Sequence, residues 1–281
     1  MDHPRLAAQR RCKLLLLLLC ARVQALAPAT RSLSVVIPAY NEEIRLPPTL
    51  ERTIKYLQHE RAGAYEVIVV DDGSSDGTAQ AVLRCRLNPA SLRLLTSRTN
   101  CGKGAALVAG VMAASGELVL VMDADGATRI EELPALEAAV PLHGAHIAVG
   151  SRKAVLAQRP WLRQLMGGVF ALVATSCVDQ IEDTQCGFKL LTQEAAVATF
   201  PHLHVAGWAY DVELLFIAQQ LGISITSVPV AWRDVPGSKI GWLTPLAMLR
   251  DVISVRLLYT LGHWHLKQPC DRTLSLYTEV H

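Results

Sequence analysis

The chain has 281 residues, enough for one large domain and an appendage, and 51% of them are apolar. A formal net charge of +2 with 5% aromatic residues excludes the basic, aromatic-rich surface of a nucleic-acid binder. The seven cysteines (Cys12, Cys20, Cys85, Cys101, Cys177, Cys186 and Cys270) are scattered without a Cys-x-x-Cys spacing, which argues against a disulfide-stapled secreted scaffold and for reduced thiols on a cytosol-facing domain.

Arg10, Arg11 and Lys13 precede the apolar run Leu14–Leu19, well short of the roughly 20 residues a spanning helix needs. The segment has the outline of a signal peptide with Ala25-Leu26-Ala27 as cleavage site, or of a short signal anchor reaching Ala29 with Arg22 snorkelling. Both readings stay open.

Ser34-Val35-Val36-Ile37-Pro38 and Glu66-Val67-Ile68-Val69-Val70 are uninterrupted and β-branched, as expected of strands covered on both faces. Helical patterns over 46–61 and 78–86 follow them. A third strand is expected over 91–96, then a helix over 103–115 opened by Asn100-Cys101-Gly102-Lys103-Gly104. Leu120-Val121-Met122 then runs into Asp123-Ala124-Asp125-Gly126. This alternation predicts an α/β domain with a Rossmann-like, mainly parallel sheet flanked by helices. The polar strand ends then share one sheet edge, where ligands of open α/β sheets bind.

Two later segments are apolar enough to concern a membrane. Trp161 to Val178 is nearly uncharged and contains Gly167-Gly168; it is either a lipid-seeking segment or a buried core helix. Thr244 to Leu261 carries Leu246, Leu249, Ile253, Leu257 and Leu261 with Arg250, Asp251 and Arg256. That is the pattern of an amphipathic helix, lying in a membrane interface or docked on a soluble core. The loose histidine pairs (His143 and His146, His202 and His204, His263 and His265) have no zinc-site companions and are read as structural or surface residues.

Val35-Val36-Ile37-Pro38-Ala39-Tyr40-Asn41-Glu42, Val69-Val70-Asp71-Asp72-Gly73-Ser74 and Asp123-Ala124-Asp125-Gly126 resemble the inverting family-2 glycosyltransferases of GT-A fold. Gly150-Ser151-Arg152, the Asp183–Lys189 stretch, Trp208-Ala209-Tyr210-Asp211-Val212-Glu213 and Gly237-Ser238-Lys239 are similar to the branch of that family that makes dolichyl β-D-glucosyl phosphate for protein N-glycosylation. The resemblance implies a UDP-glucose donor, a dolichyl-phosphate acceptor, inversion, and work at the endoplasmic reticulum membrane with the catalytic domain facing the cytosol. It divides the chain into a membrane-associated segment (1–32), a catalytic domain (33–235), and a C-terminal amphipathic helix and tail (236–281). A transferase taking mannose from GDP-mannose and a catalytically silent nucleotide-sugar-binding subunit are the alternatives; protein partners are not specified.

Each motif also has a chemical reading. Pro38 fixes its own φ and donates no amide proton, which suits a strand end. Ala39 keeps the wall small, Tyr40 offers an aromatic face, and Glu42 offers an acceptor near a base or ribose, unless Asn41 and Glu42 merely cap the next helix. The resemblance gives Asp72 the uracil imide as partner, whereas Asp76 reads as a helix cap. Lys103 opens a helix, whose free amides attract anions; a plain turn is the alternative. Asp123 and Asp125, flanking Ala124, are the expected ligands of Mg²⁺ or Mn²⁺ on the diphosphate. A phosphate monoester is already largely dianionic near neutral pH, its second pKa being about 6. The site therefore needs cations more than a strong base, and Arg152, Arg163, Lys189 and Lys239, with Ser238, are expected to meet the acceptor phosphate. Asp211 is expected to position the acceptor or a cation, and Gln185 to touch the metal shell or donor sugar. The family usually has arginine where Cys101 stands. If that arginine only lines the site, little changes; if it touches the diphosphate, donor affinity falls and Lys103 is left as the local cation.

Overall fold

In the computed structural model, which describes residues 31–85, 91–153, 178, 181, 183–237, 244–266 and 276–280, the strand β1 (Leu33–Ala39) is buried from end to end. Its neighbours β2 (Tyr65–Asp71) and β4 (Leu118–Val121) are buried almost throughout, and β3 (Leu92–Ser97) in part. Four more strands complete the sheet: β5 (His146–Ser151), β6 (Lys189–Thr192), β7 (Ser224–Pro229) and β8 (Tyr277–Val280). The order is β7-β5-β6-β4-β1-β2-β3-β8. All of this lies in one unit, Ser32–His281. The expectations for the first 30 residues, for 161–177, and for Arg163, Ser238 and Lys239 lie outside the described residues.

Successive strand residues face opposite layers. Val36, Ile68, Val70, Val119 and Val121 point to one side; Val35, Ile37, Val67, Val69, Leu118 and Leu120 point to the other. The second layer is built by α1 (Leu46–Glu60), α2 (Thr78–Arg84) and α4 (Leu133–Ala139), through Leu46, Leu50, Ile54, Val82 and Leu133. The first is built by α3 (Lys103–Met112), α5 (Gln193–Thr199), α6 (Tyr210–Gln220) and α7 (Thr244–Thr260). Two helix layers explain why the central strands carry no polar face.

β1 is parallel to β2 and β4, β2 to β3, and β5 to β7, whereas β6 and β8 oppose their neighbours. The mainly parallel sheet expected from sequence is therefore present, with two reversed strands inserted. The sequence pattern assigned no strand to β5 through β8. β6 and β8 have four residues each, too few for a periodic signal, and β7 is largely half-exposed.

The helix expected over 103–115 stops at Met112 because the following residues are claimed elsewhere. Ser115 N and Oγ both bond Glu66 at 2.7 Å, and Gly116 N donates to Ser34 Oγ at 2.8 Å. α7 also differs in orientation from a simple docked amphipath. Met248, Val252 and Val255 enter the core, while Leu246, Ile253, Leu257 and Leu261 are exposed. The apolar stripe read from sequence is thus its outward face. Among the described residues no helix is long and apolar enough to cross a membrane.

Thr192 joins three elements: its Oγ1 accepts from Ala195 N at 3.3 Å, capping α5, and from His146 N at 3.1 Å. Thr192→Val keeps the shape and removes both bonds. It should lower stability by about 1–2 kcal/mol, read as a lower denaturation midpoint with unchanged m-value.

Candidate active site

Strand direction gathers the site. β1 to β5 and β7 run the same way, so their C-terminal ends share an edge with the first residues of β6 and β8. That edge carries Ala39, Asp72, Cys101, Asp123, Arg152, Lys189 and Tyr277 from seven different strands or the loops that follow them.

The first two loops are tied together. Asn41 takes a left-handed φ of 54°, a conformation Asn tolerates better than most residues. Its amide donates to Ser74 Oγ at 2.8 Å and its Oδ1 accepts from Ser75 N at 2.8 Å. Pro38 is the penultimate residue of β1, Ala39 closes it, and Tyr40 emerges exposed. Glu42 is buried: its amide reaches Thr78 Oγ1 at 2.8 Å, and its carboxylate is paired with Arg45, whose Nε lies 2.7 Å away. An acceptor role for Glu42 toward a ligand is therefore shared with Arg45. Asp76 holds the start of α2 through Thr78 N at 3.0 Å.

Asp72 is almost fully buried, yet its carboxylate is well served. Cys101 N (2.8 Å) and Tyr277 Oη (2.7 Å) donate to Oδ1, and Gly102 N (2.7 Å) to Oδ2. Gly102 has a φ of +100°, and a Cβ there would overlap Ala206 O, so only glycine fits. Ala206 O accepts from Gly104 N at 2.7 Å and Ala105 N at 3.3 Å. The helix N-terminus expected to offer free amides to an anion has therefore spent those two on a backbone carbonyl. What it presents is Lys103, whose Nζ lies 2.6 Å from Asp123 Oδ1, 5.2 Å from the Trp208 ring centre and 5.8 Å from that of Tyr210.

The two carboxylates after β4 diverge. Burial alone would raise the Asp123 pKa, but Lys103 outweighs it and holds the carboxyl below its usual range. Asp125 is pushed up, first by burial and then by the charge of Asp123. Its Oδ1 accepts from Ala127 N at 2.9 Å, and its Oδ2 sits 3.9 Å from Arg45. The backbone of Gly187 lies flat against Asp123, and any Cβ there would overlap the carboxylate. A cleft of about 490 Å³ opens beside Asp125, lined in part by Arg45, Thr128, Arg129 and Arg233. A larger one of about 720 Å³, at Phe216, Tyr259 and Trp264, holds none of the expected site residues.

Lys189 is corrected by its surroundings. It is 0% exposed, donates to Cys186 O at 2.6 Å and is ion-paired with Asp211. It anchors Asp211 and cannot itself face an acceptor phosphate. Arg152 does reach the edge, gripped by Asp183 through its amide (2.8 Å), Nε (2.9 Å) and a terminal nitrogen (2.8 Å), with Trp232 below at 5.6 Å. Gln185 is half-buried in the turn between them. Glu213, fully buried, accepts from His204 N, Val205 N and Tyr259 Oη at 2.7 to 3.1 Å. It fixes the loop that supplies Ala206 O.

Four contributors escaped the sequence reading: Arg45, Asp183 as the clamp of Arg152, Gly187 and Tyr277. Only Asp183 and Gly187 lay in a stretch already singled out, and nothing local marks the others. As for a metal, no three His, Cys, Asp or Glu side chains form a metal-binding group among the described residues. Two carboxylates, with Asp125 opening on the cleft, fit an ion that takes its remaining oxygens from water and substrate phosphates, as Mg²⁺ does.

Residues 34–190 match the model of glycosyl transferase family 2. The chain is 46% identical to the dolichyl-phosphate beta-glucosyltransferase of Mus musculus, over 85% of this chain and 79% of that one. It is 44% identical to the enzyme of that name from Homo sapiens, with the same coverage. Among solved structures, the glucosyl-3-phosphoglycerate synthase of Mycobacterium tuberculosis, in complex with Mn²⁺, UDP-glucose and phosphoglyceric acid, superposes with a TM-score of 0.56. That likeness is 25% identical in sequence and covers 83% of this chain and 81% of the other.

Gly187→Ala should displace the Asp123 carboxylate and lower nucleotide-sugar turnover at least about tenfold, while thermal unfolding moves little; unchanged kinetics would refute the contact. Asp183 titrates below its usual range because Arg152 outweighs the opposing effect of burial. Its contribution to stability is therefore complete above the unfolded carboxylate pKa, about 3.9, and is lost as pH falls through the lower folded value. Asp183→Asn should flatten the acid limb of the stability curve in that window.

Proposed function

The chain belongs to glycosyl transferase family 2, and on that basis we propose that it transfers glucose from UDP-glucose to dolichyl phosphate, giving dolichyl β-D-glucosyl phosphate. The observation that carries this reading is the strand edge on which Asp72, Asp123, Asp125 and Asp211 converge with Lys103 and Arg152. Similarity at 46% identity to a dolichyl-phosphate beta-glucosyltransferase supports glucose over mannose.

In this reading Asp72 accepts from the uracil imide, while Ala39 and Tyr40 line the nucleoside. Asp123 and Asp125 would hold Mg²⁺ or Mn²⁺, which when bound neutralises charge developing on the departing diphosphate. Lys103 stays protonated against Asp123, since the carboxylates outweigh the effect of its burial, and adds positive charge on the same side. The acceptor phosphate attacks the anomeric carbon as a dianion, so no strong base is required. Arg152, oriented by Asp183, is placed to draw that phosphate in with a planar fork of donors. Asp211 is already matched by Lys189, which suits a positioning role better than proton removal. Inversion follows from a single in-line displacement of an α-linked leaving group.

The lipid acceptor brings the chain to a membrane surface, and the outward stripe of α7 (Leu246, Ile253, Leu257 and Leu261, with Arg250 and Arg256 exposed beside it) has the composition of an interfacial face. A location at the endoplasmic reticulum with the site toward the cytosol accords with this and with the scattered cysteines.

Purified protein should convert dolichyl phosphate to glucolipid with UDP-glucose and Mg²⁺ or Mn²⁺, and fail with EDTA or with GDP-mannose. Asp125→Ala should cost at least about a hundredfold in turnover, equivalent to roughly 2.7 kcal/mol. Product from GDP-mannose alone would replace the donor, and transfer unaffected by both EDTA and Asp125→Ala would remove the metal.

A further inference from the structure

The last strand of the sheet touches the nucleoside side of the site. β8 pairs antiparallel with β3, Ser97 opposite Tyr277 and Leu94 opposite Val280. It is clamped by Arg93, which grips the Glu279 carboxylate with two bonds of 2.8 and 3.0 Å. Arg93 is itself anchored to Glu66 (3.0 Å) and to Ala113 O at the end of α3 (2.8 Å). The Tyr277 ring packs against the helix layer on the α3 side, and its hydroxyl donates to Asp72 Oδ1 at 2.7 Å. Tyr277 and Asp72 are 205 positions apart in sequence.

We propose that Tyr277 is a positioning residue for nucleotide recognition: through its bond to Asp72 it fixes how that carboxylate meets the base. The proposal rests on the reading of Asp72 as the base acceptor. A carboxylate offers about four acceptor positions. Two on Oδ1 are taken by Cys101 N and Tyr277 Oη, and one on Oδ2 by Gly102 N. One position on Oδ2 remains, fixed in direction by donors from two separate chain segments. A single directed acceptor matches a ring imide N–H, as in uracil. Cytosine has no proton at that ring nitrogen and offers only an exocyclic amine, displaced from it. Without the Tyr277 hydroxyl, Oδ1 regains a free position and the carboxylate loses the donor that opposes its rotation. The imide then loses its oriented acceptor, while an amine, which did not match it, loses little.

The ring of Tyr277 contributes to packing, so the test keeps it. Binding of UDP and of CDP, each with Mn²⁺, is measured by calorimetry on the full chain and on Tyr277→Phe and Asp72→Asn, alongside thermal unfolding and donor kinetics. For Tyr277→Phe, UDP should bind roughly three- to tenfold more weakly, with CDP little changed, so the UDP-to-CDP preference falls. The KM for UDP-glucose should rise in proportion, while turnover at saturating donor and the unfolding midpoint stay near wild type. Equal weakening of both nucleotides with a lowered midpoint would make Tyr277 a structural residue only and overturn the proposal. UDP binding unaltered in Tyr277→Phe but weakened in Asp72→Asn would overturn it while sparing the base-acceptor reading. UDP binding unaltered in Asp72→Asn would remove that reading and the proposal together.

Discussion

The sheet edge depends on one electrostatic constraint: carboxylates are crowded together where little water reaches them. Like charges at such distances raise each other's pKa, and burial adds to that. Asp125, whose nearest cation is Arg45 at 3.9 Å, is still pushed upward by burial and by Asp123. Asp123, beside Lys103, goes the other way. Asp211 has Lys189, and Asp72 has three hydrogen-bond donors in place of a cation. Asp125, left under-compensated, stands over the open cleft, where a cation from solution has access.

The compensating groups arrive by topology. β6 runs against its neighbours, so its first residue, Lys189, and not its last, stands at the edge beneath Asp211. A parallel strand in that place would put its tail there instead and leave Asp211 buried without a partner, a cost of several kcal/mol. The same reversal brings Gly187 to Asp123 just before the strand begins. On the other flank, Glu213 on α6 holds the 204–206 loop, whose carbonyl closes the N-terminus of α3 and so sets where Lys103 emerges. Lys103 and the helix that carries Asp211 are thereby linked through the Glu213 carboxylate and the 204–206 loop.

Much of this was legible in sequence because it is local. Apolar β-branched runs that end in Asp72 or in Asp123 and Asp125 announce both a buried strand and a polar terminus, and the alternation with helices orders them. Boundaries were less legible: α3 stops short because Glu66 and Ser34, from other strands, take the amides of Ser115 and Gly116. Charge partners were the least legible. Lys189 reads as a free cation in the motif Cys186-Gly187-Phe188-Lys189, and only the fold shows that Asp211, 22 residues on, has claimed it. Tyr277 carries no signal at all, since a four-residue edge strand has no periodicity and its partner Asp72 lies 205 positions away.

The buried Lys189–Asp211 pair also bears on mechanism. Taking both charges out of water costs about as much as their attraction returns, and an apolar pair of similar volume would hold the core equally well. What an apolar pair would not supply is the field that Asp211 exerts on Lys103. Burial lowers the Lys103 pKa, Asp123 and then Asp211 raise it, and the sum leaves the ammonium charged. Lys103 in turn keeps Asp123 ionised. Asp211, held in place by Lys189, thus acts on Asp123 through Lys103 without touching it.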